Sequence, residues 1–173
     1  MPDYFTKEYV ANLAVRNFLS EEGRKKWPET INQTQWRKML KKFWGEIKRA
    51  FDYRCVYCGA EKGSKKRGKE VKLERDHLIP INKEACGLNH PGNIVPSCQT
   101  CNNKHHKLEW EEKLRKICVE RRERSLRTRR LKIISHPYKY PRIKASETET
   151  LRKHAQQLYT RVIEEISRAN NQR

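Results

Sequence analysis

The chain has 173 residues, 35% of them hydrophobic and 35% charged, with a mean hydropathy of −1.07; this suits one domain or a small core with helical extensions and excludes a large uniform apolar core. Lys and Arg number 40 against 21 Asp and Glu, a net charge of +19, which calls for a polyanionic partner, nucleic acid first and an anionic membrane surface second. No apolar run approaches membrane-spanning length and the start, Met1 to Val10, does not resemble a signal peptide, so the expectation is a soluble, intracellular, cytoplasmic protein whose 6 Cys bind metal rather than form disulfides.

Residues 1–52 read as a helical region. Tyr9, Leu13, Val15 and Phe18 mark a first helix, Pro28 interrupts it, and Trp36, Leu40, Phe43, Trp44, Ile47 and Phe51 recur at spacings of three and four on one face of a second. That periodicity assigns the aromatics to core packing rather than to base stacking. Residues 53–107 concentrate Gly, Pro, Cys and His, with short extended runs at Val71 to Leu73 and Asn93 to Val95 separated by a long loop. A helix is predicted to start near Asn102 and to continue through Leu108, Trp110, Leu114, Ile117 and Cys118. Its acids come early and its arginines late, as the helix dipole favours. Residues 108–173 comprise this basic helix and a C-terminal helical extension. The extension begins with the stiff segment His136-Pro137-Tyr138-Lys139-Tyr140-Pro141 and ends in a helix with Ser146 and Glu149 as a capping box and a stripe of Leu151, Ala155, Leu158, Val162 and Ile166.

Two knuckles, Cys55-Val-Tyr-Cys58 and Cys98-Gln-Thr-Cys101, offer four thiolates to one tetrahedral Zn²⁺. A zinc closed on four Cys has no position open to substrate, so its role is folding rather than chemistry. Redox pairs and unpaired core cysteines are the competing readings, and the equal spacing of the pairs argues against both. Cys118 reads as a core residue and Cys86 as a free loop thiol.

The long stretch between the knuckles holds Glu74-Arg75-Asp76-His77-Leu78-Ile79-Pro80, followed by Gly92-Asn93-Ile94-Val95-Pro96-Ser97 leading into Cys98 and, after Cys101, Asn102. In order, a Cys pair, Asp-His, a loop, Asn-Ile, a second Cys pair and Asn make this segment, from about Phe51 to Leu108, resemble the HNH (ββα-metal) endonucleases of the zinc-knuckle type. The resemblance implies an α+β fold: a ββα-metal core with a structural four-Cys zinc site, flanked by N- and C-terminal helices. It also implies a metal-dependent DNA endonuclease leaving a 5′ phosphate and a 3′ hydroxyl. In it His77 activates the water, Asp76 and Asn102 hold the divalent ion, and Asn93 orders the loop and the general base.

The chemistry asks for such groups. Phosphodiester hydrolysis needs a nucleophile, charge neutralisation and leaving-group stabilisation, and one divalent ion supplies the last two. Mg²⁺, or another divalent ion in its place, takes hard oxygen ligands, which the Asp76 carboxylate and the Asn102 amide offer. An imidazole of unperturbed pKa about 6.5 suits His77 to accept a proton from water. Asn102 has a plainer alternative as a helix N-cap. His105 and His106 fall on its side of the helix, and His106 is a candidate additional ligand; His90 is expected to face solvent or phosphate, and His136 and His154 carry no signal.

Two basic segments flank the site. One contains Lys65, Lys66 and Arg67 in a Gly-punctuated hairpin tip; the other contains Arg121, Arg122, Arg124, Arg127, Arg129 and Arg130. With Lys104 and Lys107 these are the expected DNA contacts, to the backbone and so blind to sequence. Double-stranded DNA is the expected partner, with RNA as an alternative substrate, no membrane, and a homodimer as the arrangement that would cut both strands. The competing reading is a zinc-stabilised nucleic-acid-binding protein that keeps the motif as a scaffold; the intact Asp76, His77 and Asn102 favour the enzyme, since binding alone needs none of them.

Overall fold

A computed structural model describes residues 6–27, 31–66, 68–104, 108–118 and 123–171, with the backbone alone at Lys104, Cys118 and 123–127. It combines helices with two small antiparallel sheets, an α+β fold. The elements are α1 (Lys7–Lys25), α2 (Gln33–Ala50), β1 (Lys65–Lys66), β2 (Lys69–Glu70), β3 (Leu73–His77), β4 (Ile94–Cys98), α3 (Gln99–Lys104), α4 (Trp110–Cys118), α5 (Glu123–Ile134) and α6 (Ala145–Asn171), with a 3-10 turn at Pro91–Asn93 before β4. Among the described residues, no helix is long and apolar enough to cross a membrane.

The chain forms two compact units. One consists of α1, α6 and residues 81–89. Thr6 caps α1 by accepting from the Tyr9 N–H, and the helix buries Ala11, Val15, Leu19 and Gly23, a period-four stripe. Of the residues that mark this helix in the sequence, Val15 lies on the stripe, while Tyr9 and Leu13 are 52% and 44% exposed. The stripe uses small residues because backbone comes close: a Cβ on Gly23 would lie 2.7 Å from the Asn89 carbonyl oxygen. On α6 the stripe is buried at Leu151 and Ala155 and half-buried from Leu158 onward. The expected capping box is not formed, because the helix already starts at Ala145; Ser146 lies inside it and Glu149 pairs with Arg152. Cys86 is a free thiol in a loop, as expected, and it is buried.

The other unit holds α2 to α5 and both sheets. A full capping box of Asn32 and Gln35 starts α2, and its expected apolar face is buried at Trp36, Leu40, Phe43 and Ile47. Strands β3 and β4 pair with Leu73 opposite Cys98 and His77 opposite Ile94, and β4 passes into α3 without a loop. The first strand thus starts two residues later than the expected run at Val71. Val71 is occupied elsewhere, exchanging backbone bonds with Gly63 and Ser64 at the base of the β1–β2 hairpin. The helix expected from Asn102 to Cys118 starts earlier, at Gln99, and is not continuous: Leu108 and Glu109 are non-helical. The backbone N–H of Trp110 instead bonds the Leu78 carbonyl at 2.9 Å, which docks the start of α4 at the end of β3.

The stiff segment after α5 closes this unit. His136 contacts the Ile94 carbonyl through Nε2 at 2.7 Å, and Tyr138 packs edge-on against Phe43 with centroids 4.8 Å apart. Gly92 is required there, since a Cβ would lie 2.5 Å from the Tyr140 nitrogen.

Candidate active site and metal centre

Side chains of successive strand residues alternate between faces, so Glu74 and Asp76 share one face of β3, and Arg75 and His77 the other. Arg75 lies against α2, its guanidinium 5.8 Å from the Trp44 ring and bonded to the Leu40 carbonyl at 3.4 Å. On the Asp76 face, Asn102 of α3 donates through Nδ2 to Glu74 Oε2 at 3.0 Å, tying the first turn of the helix to the strand. Asp76 is buried, and its Oδ2 accepts from the ammonium of Lys113 at 2.6 Å. That lysine is 1% exposed and stands 4.8 Å from the centre of the Tyr57 ring. Burial first, then the negative charge of Asp76, pushes the Tyr57 phenol well above its ordinary value.

His77 ends β3 with its Nε2 shielded from solvent. The turn beyond it is held by Asn93, whose side chain accepts from the Ile79 N–H at 2.8 Å and donates to the Ile79 carbonyl at 2.9 Å. The Asn93 backbone carbonyl receives the Leu78 N–H at 2.9 Å. Asn93 therefore clamps the two residues following His77 from a position that is itself 1% exposed.

The sulfur atoms of Cys55, Cys58, Cys98 and Cys101 lie within 4.8 Å of one another, all four residues buried. Among the described residues no second group of three His, Cys, Asp or Glu converges in this way. The second knuckle spans the β4–α3 junction, and the first is bound to the same strand by the Val56 N–H, which bonds the Pro96 carbonyl at 2.9 Å. Pro96 has no N–H to give a ladder, and its carbonyl is what recruits the knuckle. Hydrogen bonding with Cys101, Cys55 and Cys98 holds the Cys58 thiol far below its ordinary range, while the contacts with Cys55, Cys58 and Cys98 push Cys101 far above its own. Four thiols this close share their protons unequally. A soft divalent cation lets all four ionise together, and the donor set fits tetrahedral zinc.

Several basic residues have partners inside the fold. Lys66 donates to Cys58 Sγ at 3.2 Å. Arg129 reaches the carbonyls of Cys55 and Val56 at 3.4 and 3.3 Å, and Arg130 pairs with Glu111 at 3.2 Å. Lys65 is exposed. A groove of about 670 Å³ beside the hairpin is lined by Lys66, Lys69, Lys72, Glu74, Gln99 and Thr100, among others. Arg67, His105, His106, Lys107, Arg121 and Arg122 lie outside the described residues, as do the side chains of Lys104, Arg124 and Arg127. His90 does not face solvent or phosphate. It is 4% exposed and caps the 3-10 turn, its Nδ1 accepting from the Gly92 N–H at 3.1 Å.

Sequence reasoning missed Lys113, Tyr57 and Glu74 as residues around Asp76 and Asn102. Glu74 had a usable signal, since it stands two residues before Asp76 and so on the same strand face. Nothing in the sequence singles out Lys113.

Two antiparallel strands running directly into a helix, with four cysteines gathered at the junction, define a ββα-metal domain with paired zinc knuckles. Residues 55–108, about a third of the chain, match the family model described as HNH endonuclease, so this part of the chain is an HNH domain. Searches of curated proteins and of solved structures returned no match. An HNH domain implies nuclease activity, usually metal-dependent, on nucleic acid.

Proposed function

We propose that the protein is a metal-dependent DNA endonuclease in which His77 is the general base and Asp76 and Asn102 hold one divalent ion. The observation that carries this reading is the corner where the Asp76 strand meets the Asn102 helix within the HNH match, with Glu74 bonded to Asn102 at 3.0 Å. The donors suit a hard cation: carboxylate oxygens on one strand face, and an amide whose Nδ2 is engaged, so that Oδ1 is the atom it offers. When bound, Mg²⁺ or a similar ion supplies charge neutralisation at the phosphate and at the departing 3′ oxygen. His77 accepts the water proton, Asn93 fixes the turn beside it, and a structural zinc on the four cysteines keeps β4 and α3 at their angle. His106 remains a proposed additional ligand.

The partner that suits a net charge of +19 is the phosphate backbone of DNA. Lys65 and the groove lysines Lys69 and Lys72 are proposed backbone contacts, with Arg67, Lys104, Lys107, Arg121, Arg122, Arg124 and Arg127 as further ones. Supercoiled plasmid with Mg²⁺ tests the activity. Nicking or linearisation that EDTA and His77→Ala both abolish, with zinc content and DNA affinity kept, is the expected result.

A second reading, a zinc-stabilised binding protein without catalysis, draws support from the ammonium of Lys113 on Asp76. It predicts zinc-loaded protein that binds DNA and leaves it intact with every divalent metal tried.

A further inference from the structure

Lys113 and Asp76 form an ion pair with side chains 1% and 8% exposed, and among the described residues no other ion pair is as deeply buried. The acids on the lysine's own helix are engaged elsewhere: Glu112 with Lys116 at 3.1 Å, and Glu111 with Arg130 at 3.2 Å and Arg115 at 3.7 Å. The ammonium is held in place from three sides. Its helix is docked through the Trp110–Leu78 backbone bond, the Tyr57 ring lies beneath it, and Asp76 faces it. A buried pair of this kind contributes little net stability, while loss of either partner leaves an uncompensated charge.

We propose that Lys113 is the resident counter-ion of Asp76 and competes with the divalent cation for that carboxylate, so that the lysine sets how tightly the site takes its metal. This inference rests on the reading of Asp76 as a metal ligand. An ammonium and a divalent cation repel strongly in a site from which water is excluded. The ion-free form is therefore held neutral by Lys113, and entry of the cation releases the ammonium from the carboxylate. The lysine acts through Asp76 and is a positioning residue.

Mn²⁺ binding to the zinc-loaded full chain, measured by calorimetry and by the electron paramagnetic resonance of free Mn²⁺, tests the proposal without any cleavage assay. Removing a competing cation tightens binding, so Lys113→Gln and Lys113→Met are expected to bind Mn²⁺ about tenfold or more tightly than the native chain. Lys113→Arg, which keeps the charge, is expected to stay near the native affinity. A lysine with only a structural role would give the opposite result, since a loosened fold binds metal more weakly. Unchanged or weaker binding in both neutral variants, with Asp76→Asn losing the ion, overturns the proposal and leaves the metal site standing. Native-like binding by Asp76→Asn overturns the assignment of Asp76 as ligand, and the proposal with it. If the neutral variants fold only when Mn²⁺ is added, the ion has replaced the ammonium, as proposed; failure to fold even with Mn²⁺ counts against it.

Discussion

His90 offers a stability test in which the sign and size follow from its surroundings. Burial, aided by the nearby His136, pushes its imidazole down from 6.5 to about 4. The folded chain therefore holds this ring neutral at pH values where the unfolded chain protonates it. A depressed folded value means that the contribution is fully present above about pH 6.5 and is lost as pH falls towards 4. Between pH 7 and pH 5 the loss for one such group is about 2 kcal/mol, a large part of a typical margin of about 5–15 kcal/mol. His90→Asn keeps an acceptor for the Gly92 N–H, since Asn is a favoured capping residue, and removes the titration. Urea denaturation of both proteins at the two pH values isolates the term, because the cysteines and the His136 ring are common to both and cancel in the difference. The native chain should lose about 2 kcal/mol more than His90→Asn on acidification. Equal losses would refute the burial argument and return His90 to solvent.

Two further substitutions probe the scaffold. Asn93→Ala deletes both bonds to the Ile79 backbone, and at about 1 kcal/mol for each part-buried bond plus the cost of the polar groups left behind, denaturant curves should show a loss of about 2–3 kcal/mol; a change within about 0.5 kcal/mol would mean the clamp carries no weight. Cys98→Ser removes one sulfur of the four and should lower the zinc measured per chain and melt β4 and α3 before the rest, as read by hydrogen exchange at Val95 and Ser97; full zinc occupancy with native protection would contradict the four-sulfur assignment.

What could be read from the sequence was local. The Cys-x-x-Cys pairs announce themselves because a two-residue gap is a property of one short segment, and the structure gathers all four. The face of α2 was legible because large apolar residues recur at helical spacing, and four of them are buried. On α1 the apolar residues marked the helix but not its buried face: Val15 is buried, while Tyr9 and Leu13 are exposed. Ala11 and Gly23 share that face with Val15 and Leu19, and small residues that allow close approach barely register on a hydrophobic scale. The capping signal at Ser146 misled for a related reason: a box needs a chain that turns at that residue, and the helix had already begun at Ala145.

The pairing of Asp76 with Lys113 was illegible on different grounds. Lys113 stands among Glu109, Glu111, Glu112, Arg115 and Lys116, and on that stretch any one charge looks like part of a solvated face. Only the break before Trp110, and the docking of that residue on Leu78, turns one lysine of the series inward. A buried charge is tolerated only where a partner of opposite sign awaits it, and the partner here lies on strand β3, far away in sequence. The consequence runs in both directions. The motif that makes Asp76 a proposed metal ligand carries no sign of the cation that the fold supplies to it. The folded chain pairs this carboxylate with Lys113, so under the proposed assignment of Asp76 a divalent ion would meet an occupied carboxylate, and its affinity would depend on a residue outside the motif as well as on those within it.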